Sequence, residues 1–260
     1  MSDDPPESAT TPPRGPLTFS VRNLMFFIAC CAIGFTLLGL LMKQVNNAQE
    51  AARSVQCLCN LCTVKLALQN YHSQYGSFPP AYVADARGRR MHSWRILILP
   101  FMEEQGLYNL YRLDEPWDGP NNRRLLGMMP RFYACPNHRD PSSGLTSYVA
   151  ITGPGTAFPG AGTTKIADIT DGTHDTIFLA EVCTLDIPWT APRDLDTASM
   201  SFRINDPARP SVSAKDRGGP AVIAVDGTYW RLKSSTDQQT LRAMTTIAGG
   251  EPIYDATIGR

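Results

Sequence analysis

Residues 24–42 read LMFFIACCAIGFTLLGLLM, and none of these nineteen residues carries a charge. A helix that crosses a hydrocarbon core about 30 Å thick needs about 20 such residues. The helical pattern then continues to Tyr75 without a proline. Apolar or small side chains recur along it every three or four residues, at Val45, Ala48, Ala52, Val55, Cys59, Cys62 and Leu66. The sequence therefore predicts one long helix that starts in a membrane and ends as an amphipathic stalk.

The apolar stripe of the stalk is expected to pack against the remainder of the chain, which would bury Val55 and Leu66. Gly76, soon followed by two prolines, is typical of a helix end. The predicted stalk therefore covers residues 43–75, and residues 76–260 form the part that packs on it.

The residues before the apolar run are rich in Pro, Ser, Thr, Asp and Glu, so we expect residues 1–23 to be a disordered tail. The run is longer than the core of a usual signal peptide, and no small-x-small pattern closes it, which favours an uncleaved anchor over a signal peptide. Arg14 and Arg22 precede the run, and basic residues also follow it, so charge marks the orientation only weakly. We expect a cytoplasmic tail, a single span at residues 24–42 of the inner membrane, and residues 43–260 on the extracytoplasmic side.

The charge balance argues against nucleic acid as a partner. The chain has 24 basic and 24 acidic residues and no dense run of Lys or Arg. Hydrophobic residues make up 43% of its 260 residues, which is ordinary for a globular chain with a core. The membrane is the partner that the composition favours.

Short apolar runs separated by turn signals predict strands in residues 76–260. These runs cover residues 95–99, 146–152, 176–182 and 221–225. Helices are predicted at residues 102–111 and 237–247. Residues 186–220 are rich in Pro, Asp, Arg and Ser with little periodicity, and predict a long surface loop.

A series of short sequence blocks carries a family resemblance. The blocks are EAAR at 50–53, QC at 56–57, LALQNYH at 66–72, GSFPPAY at 76–82, HSWR at 92–95, DEPWD at 114–118, YACP at 133–136, TSY at 146–148, GPGTAFPG at 153–160 and ITDGT at 169–173. In this order they resemble the prepilin-type proteins of planctomycetes. That family is a domain of unknown function, number 1559, formerly grouped with solute-binding proteins as family 10.

The resemblance implies an α+β, pilin-like fold, in which a long N-terminal helix packs on an antiparallel sheet. It also implies structural roles for the motif positions Trp94, Trp117, Asp171, Gly172, Asp226 and Gly227. The family has no established biochemical function, so the resemblance implies an architecture and an envelope location, not a reaction.

The chain departs from the family at two places. Relatives carry a Gly-Phe-Thr-Leu-x-Glu processing site near residues 21–26, where this chain reads VRNLMF. Residues 34–38 read GFTLL, but Gly39 stands where the site requires Glu and apolar or small residues precede Gly34, so we predict a coincidence and no cleavage there. Relatives also carry a His ten residues before the last Asp-Gly pair, and here that position is Asp216.

Seven cysteines raise the question of metal or disulfide. Cys57, Cys59 and Cys62 have a metal-like spacing, but at about 100° per helical residue Cys57 and Cys59 point roughly 160° apart, which disfavours one shared metal. The family blocks contain Cys57 and Cys135. The resemblance therefore implies a disulfide between these two, and the alternative is a pair of buried free thiols.

Catalytic motifs are absent from the sequence: it has no Gly-x-Ser-x-Gly, no His-Glu-x-x-His and no phosphate-binding loop. His174 and Asp175, with Glu181 following, could supply a base and an orienting carboxylate, but an adjacent pair on a turn is more typical of a solvated surface. His72 and His92 are interpreted as structural. We expect no catalysis and no cofactor.

One acidic loop is a weak candidate for calcium. Asp114, Glu115 and Asp118 offer the oxygen ligands that calcium prefers, without the EF-hand spacing. The alternative is a loop held by Trp117, with its polar side chains bonded to turn backbone.

Two functions remain open. The first is a structural or assembly protein of the envelope, whose stalk contacts other pilin-like subunits or envelope proteins. The second is an extracytoplasmic binding module with a cleft lined by Trp94, Trp117, Trp189 and Trp230. Tryptophans at turn tips would favour binding, and buried tryptophans would favour the structural role.

Overall fold

The computed structural model describes residues 20–216 and 218–253, and the backbone of residues 258–259. Most of the predicted tail therefore lies outside the described residues. The described part of the chain divides into two units, with the boundary between residues 49 and 50. Its class is α+β with a long N-terminal helix, as predicted.

Helix α1 spans Val21–Tyr75, so it begins three residues before the predicted apolar run. Among the described residues it is the one helix long and apolar enough to cross a membrane. It ends where the sequence predicts, because Gly76 takes a positive φ of 76° and its N–H bonds to the carbonyl of His72 at 2.8 Å.

The buried face of α1 is not the predicted one. Val55 and Leu66 are 61% and 55% exposed. The buried residues are Cys57, Asn60, Leu61, Val64, Ala67 and Leu68. At about 100° per residue this face lies roughly 160° around the helix from the predicted stripe. The helix carries two apolar stripes of the same period, and periodicity alone does not tell which of them meets the core.

The second unit contains eight described strands in two sheets. They are β1 (Tyr82–Ala84), β2 (Arg90–Ser93), β3 (Tyr148–Thr152), β4 (Ile177–Glu181), β5 (Leu195–Asp196), β6 (Ala221–Ala224), β7 (Tyr229–Leu232) and β8 (Ile258–Gly259). β1 and β2 form an antiparallel pair, and the other six are ordered β5-β3-β4-β6-β7-β8. All neighbours in this sheet are antiparallel except β3 and β5. The predicted strands near β3, β4 and β6 are confirmed.

The short helices correct one prediction. They are α2 (Trp94–Leu97), α3 (Gln105–Leu110) and α4 (Gln238–Ala243). The last two lie within the predicted helical segments 102–111 and 237–247. Residues 95–99 were predicted as a strand, but residues 95–97 belong to helix α2. The side chain of its N-cap residue, Ser93, accepts a hydrogen bond from the backbone N–H of Arg95. Short apolar runs fit either structure, and here the cap selects the helix.

The larger sheet lies between two hydrophobic clusters. Along β3, Tyr148 and Ala150 join the cluster that contains the buried face of α1, whereas Val149 and Ile151 join the other. This is the alternation of a strand buried on both faces.

Residues 186–216 contribute buried side chains to the second face, so the prediction of a surface loop at residues 186–220 was wrong. Ile187, Leu195 and Val212 are at most 1% exposed and belong to the second cluster. The segment has little regular structure, so its buried residues follow no helix or strand period, and the pattern search missed them.

Candidate functional site

A disulfide joins Cys57 of α1 to Cys135, with Cα atoms 4.8 Å apart and both side chains fully buried. It is the pairing that the family resemblance implies. Closing a loop with a separation of 78 residues stabilises the fold by about 4 kcal/mol in the chain-entropy model. Side chains hold the backbone on both sides: the hydroxyl of Tyr148 donates to the Cys57 carbonyl at 2.9 Å, and Asn60 Nδ2 donates to the Ala134 carbonyl at 2.8 Å.

Glu181, the last residue of β4, lies beside this disulfide and is fully buried. Its Oε2 accepts a hydrogen bond from the N–H of Ala221 at 2.9 Å, whereas Oε1 has no hydrogen-bond partner. Burial raises the pKa of Glu181 to about 7; the Ala221 bond and Arg231 act against this, and nearby Asp216 adds to it. The carboxyl therefore stays protonated to a higher pH than that of an exposed glutamate does.

His138 lies close to the free carboxyl oxygen of Glu181. Its Nδ1 lies 3.7 Å from Glu181 Oε1, beyond hydrogen-bond distance, and neither ring nitrogen makes a hydrogen bond. Burial lowers the pKa of His138, although the backbone of Val182 and the charge of Asp216 favour the protonated ring. The pair thus places an imidazole that favours its neutral form beside a carboxyl that favours its protonated form.

Asp216 bonds to side chains from three other segments of the chain. Its Oδ2 accepts hydrogen bonds from Asn137 Nδ2 at 2.6 Å, from the Ser54 hydroxyl at 3.3 Å and from Arg231 Nη1 at 3.4 Å. Its side chain is 7% exposed. Ser54 belongs to α1 and Arg231 to β7, so the bonds tie the long helix to the sheet.

The buried polar cluster is our name for His138, Glu181, Asp216 and Arg231. Asp216 stands at the position where the family resemblance implies a histidine, and the imidazole of this cluster belongs to His138, in a different loop. The sequence analysis missed His138. A signal was present, since it lies three residues after Cys135 in a chain with only four histidines.

The last Asp-Gly pair forms the turn between β6 and β7. Asp226 Oδ1 accepts from the N–H of Thr228 at 2.7 Å, and Lys65 Nζ of α1 donates to the Asp226 carbonyl at 2.8 Å. Gly227 takes a φ of 104°, and a Cβ there would lie 2.7 Å from Lys65 Nζ. Glycine lets this turn approach the helix.

The other motif pair, Asp171 and Gly172, also bonds to backbone. The Asp171 carboxylate accepts from the N–H groups of Gly249 at 2.7 Å and Gly250 at 2.9 Å, and Gly172 takes a φ of 104°. Asp171 thereby fixes the segment that follows α4.

The structure separates the residues of the weak catalytic hypothesis. His174 is half exposed and lies beside Asp226 at 3.3 Å and Thr228 at 3.0 Å. The imidazole next to Glu181 belongs to His138.

The other two sequence-selected histidines are packed and hydrogen-bonded. His92 is buried between the hydroxyl of Tyr111 at 3.0 Å and the carbonyl of Leu113 at 3.1 Å. His72 accepts from the N–H of Ile166 at 3.3 Å.

In the acidic loop, Glu115 bonds to backbone. Its carboxylate accepts from the N–H groups of Asn121 at 2.8 Å and Asn122 at 2.7 Å. Asp118 pairs with the exposed Arg89 at 3.5 Å, and Asp114 is exposed. These contacts are those of a hydrogen-bonded turn, which is the alternative to a calcium loop.

One group of potential metal ligands occurs among the described residues: the sulfurs of Cys57 and Cys135 and a carboxylate oxygen of Glu181, all within 4.8 Å of one another. Metals bind thiolates, and the two sulfurs are joined in the disulfide. In the oxidised protein this group therefore does not supply a metal site.

The tryptophans do not line a cleft. Trp94 and Trp189 are fully buried, Trp230 is 3% exposed, and Trp117 is half-buried against the second cluster. The Trp94 indole N–H donates to Asp194 at 3.2 Å. The cleft of the binding hypothesis is therefore wrong, and at least three of these rings belong to the core.

Asp194 also forms a buried ion pair that the sequence analysis missed. Arg95 Nη2 lies 2.6 Å from Asp194 Oδ1, and both side chains are at most 2% exposed. Burial raises the pKa of Asp194, and Arg95 and the hydrogen bonds from Ala150 and Trp94 oppose that rise. The pair comes from residues 99 positions apart, and no local pattern marks it.

No curated protein and no solved structure matches the chain. A family model described as a protein of unknown function, DUF1559, matches residues 46–245. The match covers α1 from residue 46 onward, the disulfide, the buried polar cluster and α4. Because it covers well over half of the chain, this protein belongs to the DUF1559 family.

Proposed function

We propose that this protein is a single-pass membrane protein of the cell envelope, with a pilin-like extracytoplasmic domain that acts in structure or assembly and carries out no catalysis. The observation that carries the proposal is helix α1, Val21–Tyr75, which continues from an exposed apolar run into a segment buried in the core of the second unit. In water such a run would be costly to expose, and in a bilayer it is satisfied.

The disulfide supports the extracytoplasmic side. Cys57 and Cys135 are joined, and such bonds persist in oxidising compartments and are rare in the cytosol. Residues 43–260 would accordingly lie outside the inner membrane, with the N-terminal tail inside.

Two features support a structural role. The titratable groups of the buried polar cluster are enclosed, with Glu181 fully buried and its side chain bonded to backbone. The second apolar stripe of α1, with Val55, Cys59 and Leu66, is exposed within the second unit. A stripe of this kind suits the helix of another pilin-like subunit or of another envelope protein.

Membrane extraction and protease accessibility test the anchor and its orientation. Alkaline carbonate should leave the full-length protein in the membrane pellet, and protease added to spheroplasts should digest residues 43–260. Release by carbonate would refute the anchor, and complete protection from protease would refute the orientation.

Peptide mapping tests the compartment. Under non-reducing conditions, protein from its native membrane should yield one peptide pair linked through Cys57 and Cys135. Free thiols at both positions would contradict an oxidising location.

A further inference from the structure

A cavity of about 210 Å³ lies beside the disulfide, between α1 and the segment around Cys135. Its lining includes Gln56 and Asn60 from the helix and Arg131 and Arg139 from the segment. For scale, an engineered cavity of about 150 Å³ holds a benzene ring. The space therefore suits a group of the size of a monosaccharide or an amino acid.

The lining is positively charged. It contains two guanidinium groups and no carboxylate. Arg131 is exposed and, among the residues that the structure describes, pairs with no acidic side chain. An anion that entered the cavity would meet the charge of Arg131 and that of Arg139, which the exposed Asp186 offsets in part.

Arg139 is the second positive charge at the cavity. Its side chain is 9% exposed, Nη1 lies 3.2 Å from Asp186, and Nη2 donates to the Leu185 carbonyl. Its Nε is enclosed by protein atoms and has no hydrogen-bond partner. Arg139 therefore contributes its charge to the cavity, while Asp186 and Leu185 hold its guanidinium in place.

The amide side chains add an acceptor. Gln56 Nε2 donates to Asn60 Oδ1 at 2.9 Å, and Asn60 Nδ2 donates to the Ala134 carbonyl. This arrangement leaves the Gln56 side-chain carbonyl available to a hydroxyl or amide N–H of a ligand.

We propose that this cavity binds a small carboxylate, with Arg131 and Arg139 as the anion-binding residues and Gln56 as an acceptor for a second ligand group. The fork of a guanidinium matches the two oxygens of a carboxylate, and such charge-assisted bonds are among the stronger ones in proteins. The ligand that we infer is a free carboxylate of about the size of a monosaccharide or an amino acid. This inference does not depend on the proposed envelope role.

Calorimetric titration of the detergent-solubilised, full-length protein tests the site at low salt. Sodium glucuronate and N-acetylglutamate are the two carboxylate probes, and glucose and sulfate are the comparison ligands. We expect saturable binding of at least one carboxylate.

The variant Arg131→Gln should weaken this binding at least about tenfold, since a charge-assisted bond contributes enough for that change. Arg124→Gln is the matched control, because Arg124 is exposed and lies outside the cavity. Both variants should have the same melting temperature as the unmodified protein.

Three results would overturn the proposal: no saturable binding of either carboxylate at millimolar concentration, binding of glucose or sulfate as tight as that of the carboxylates, or unchanged carboxylate affinity in Arg131→Gln.

Discussion

Replacing Glu181 with Gln should reduce the loss of folding stability that occurs when the pH rises from about 4.5 to about 8. Folding raises the pKa of this carboxyl from 4.5 to about 7 because the side chain is fully buried. The protonated form is thus the one that the folded protein prefers. Its contribution to stability is fully present below pH 4.5 and is lost as the pH rises towards about 7.

The magnitude follows from the size of the pKa change. At about 1.4 kcal/mol for each pH unit, the wild-type protein loses about 3 kcal/mol from this group across that interval. Gln has nearly the same shape and does not ionise, so Glu181→Gln should gain about 3 kcal/mol relative to the wild type between about pH 4.5 and pH 8.

The neighbouring charges affect both proteins. Asp216, Arg231, Arg139 and Lys215 act on Glu181 or His138 in either form. The pKa of His138 is lowered, so its contribution is present above the usual histidine pKa and is lost as the pH falls. That effect has the opposite sign and largely cancels when the two proteins are compared at the same pH.

Urea unfolding of the full-length, disulfide-bonded protein in detergent measures the difference at about pH 5 and about pH 8. Glu103→Gln, at an exposed position, serves as the control and should show no comparable change. If the difference between Glu181→Gln and the wild type is the same at both values, Glu181 does not titrate in this interval and the argument from burial fails.

Three further predictions concern the fold and the N-terminus. Leu61→Asp should lower stability by at least about 3 kcal/mol in thermal melts, because Leu61 is fully buried. Leu66 is 55% exposed, so Leu66→Asp should be nearly silent, and equal melting temperatures for the two variants would contradict the assigned core face. Asp194→Ala should cost about 3–5 kcal/mol in urea unfolding because it leaves a buried guanidinium unpaired, whereas Asp186→Ala, whose side chain is 82% exposed, should cost less than about 1 kcal/mol; similar losses would contradict the buried pair. N-terminal sequencing should find residues that precede position 35, and a mature chain that starts at Phe35 would overturn the uncleaved anchor.

The sequence predicted the elements with strong local signals. The long helix follows from an apolar run and an unbroken helical pattern, and its end follows from Gly76. The strands β3, β4 and β6 follow from short apolar runs between turns. These features depend on neighbouring residues, so a local pattern contains the information.

The buried face of α1 could not be predicted from periodicity, because two stripes on opposite sides have the same spacing. Cys57 held the clue: the cysteine shared with the family lies on the stripe of Leu61 and Val64, and a disulfide to the body of the domain requires that face to be buried. The family resemblance named the cysteine pair, but the stripe was chosen from residue type alone.

The buried polar cluster could not be predicted from local sequence patterns, for a different reason. Ser54, His138, Glu181, Asp216 and Arg231 come from five separate segments, and only tertiary packing brings them together. Residues 186–220 show the same limit, since their side chains fill one face of the sheet without a helix or strand period to mark them.

The disulfide also turns part of the chain into a covalent ring. Cys57 and Cys135 are 78 positions apart, and the bond between them closes the segment that contains β1, β2, α2 and α3. A single protease cut anywhere inside this ring opens it without releasing a fragment, because the two pieces remain linked through sulfur. The part of the chain that follows Cys135 therefore stays attached to helix α1 after such a cut, and only reduction, or a cut outside the ring, detaches it.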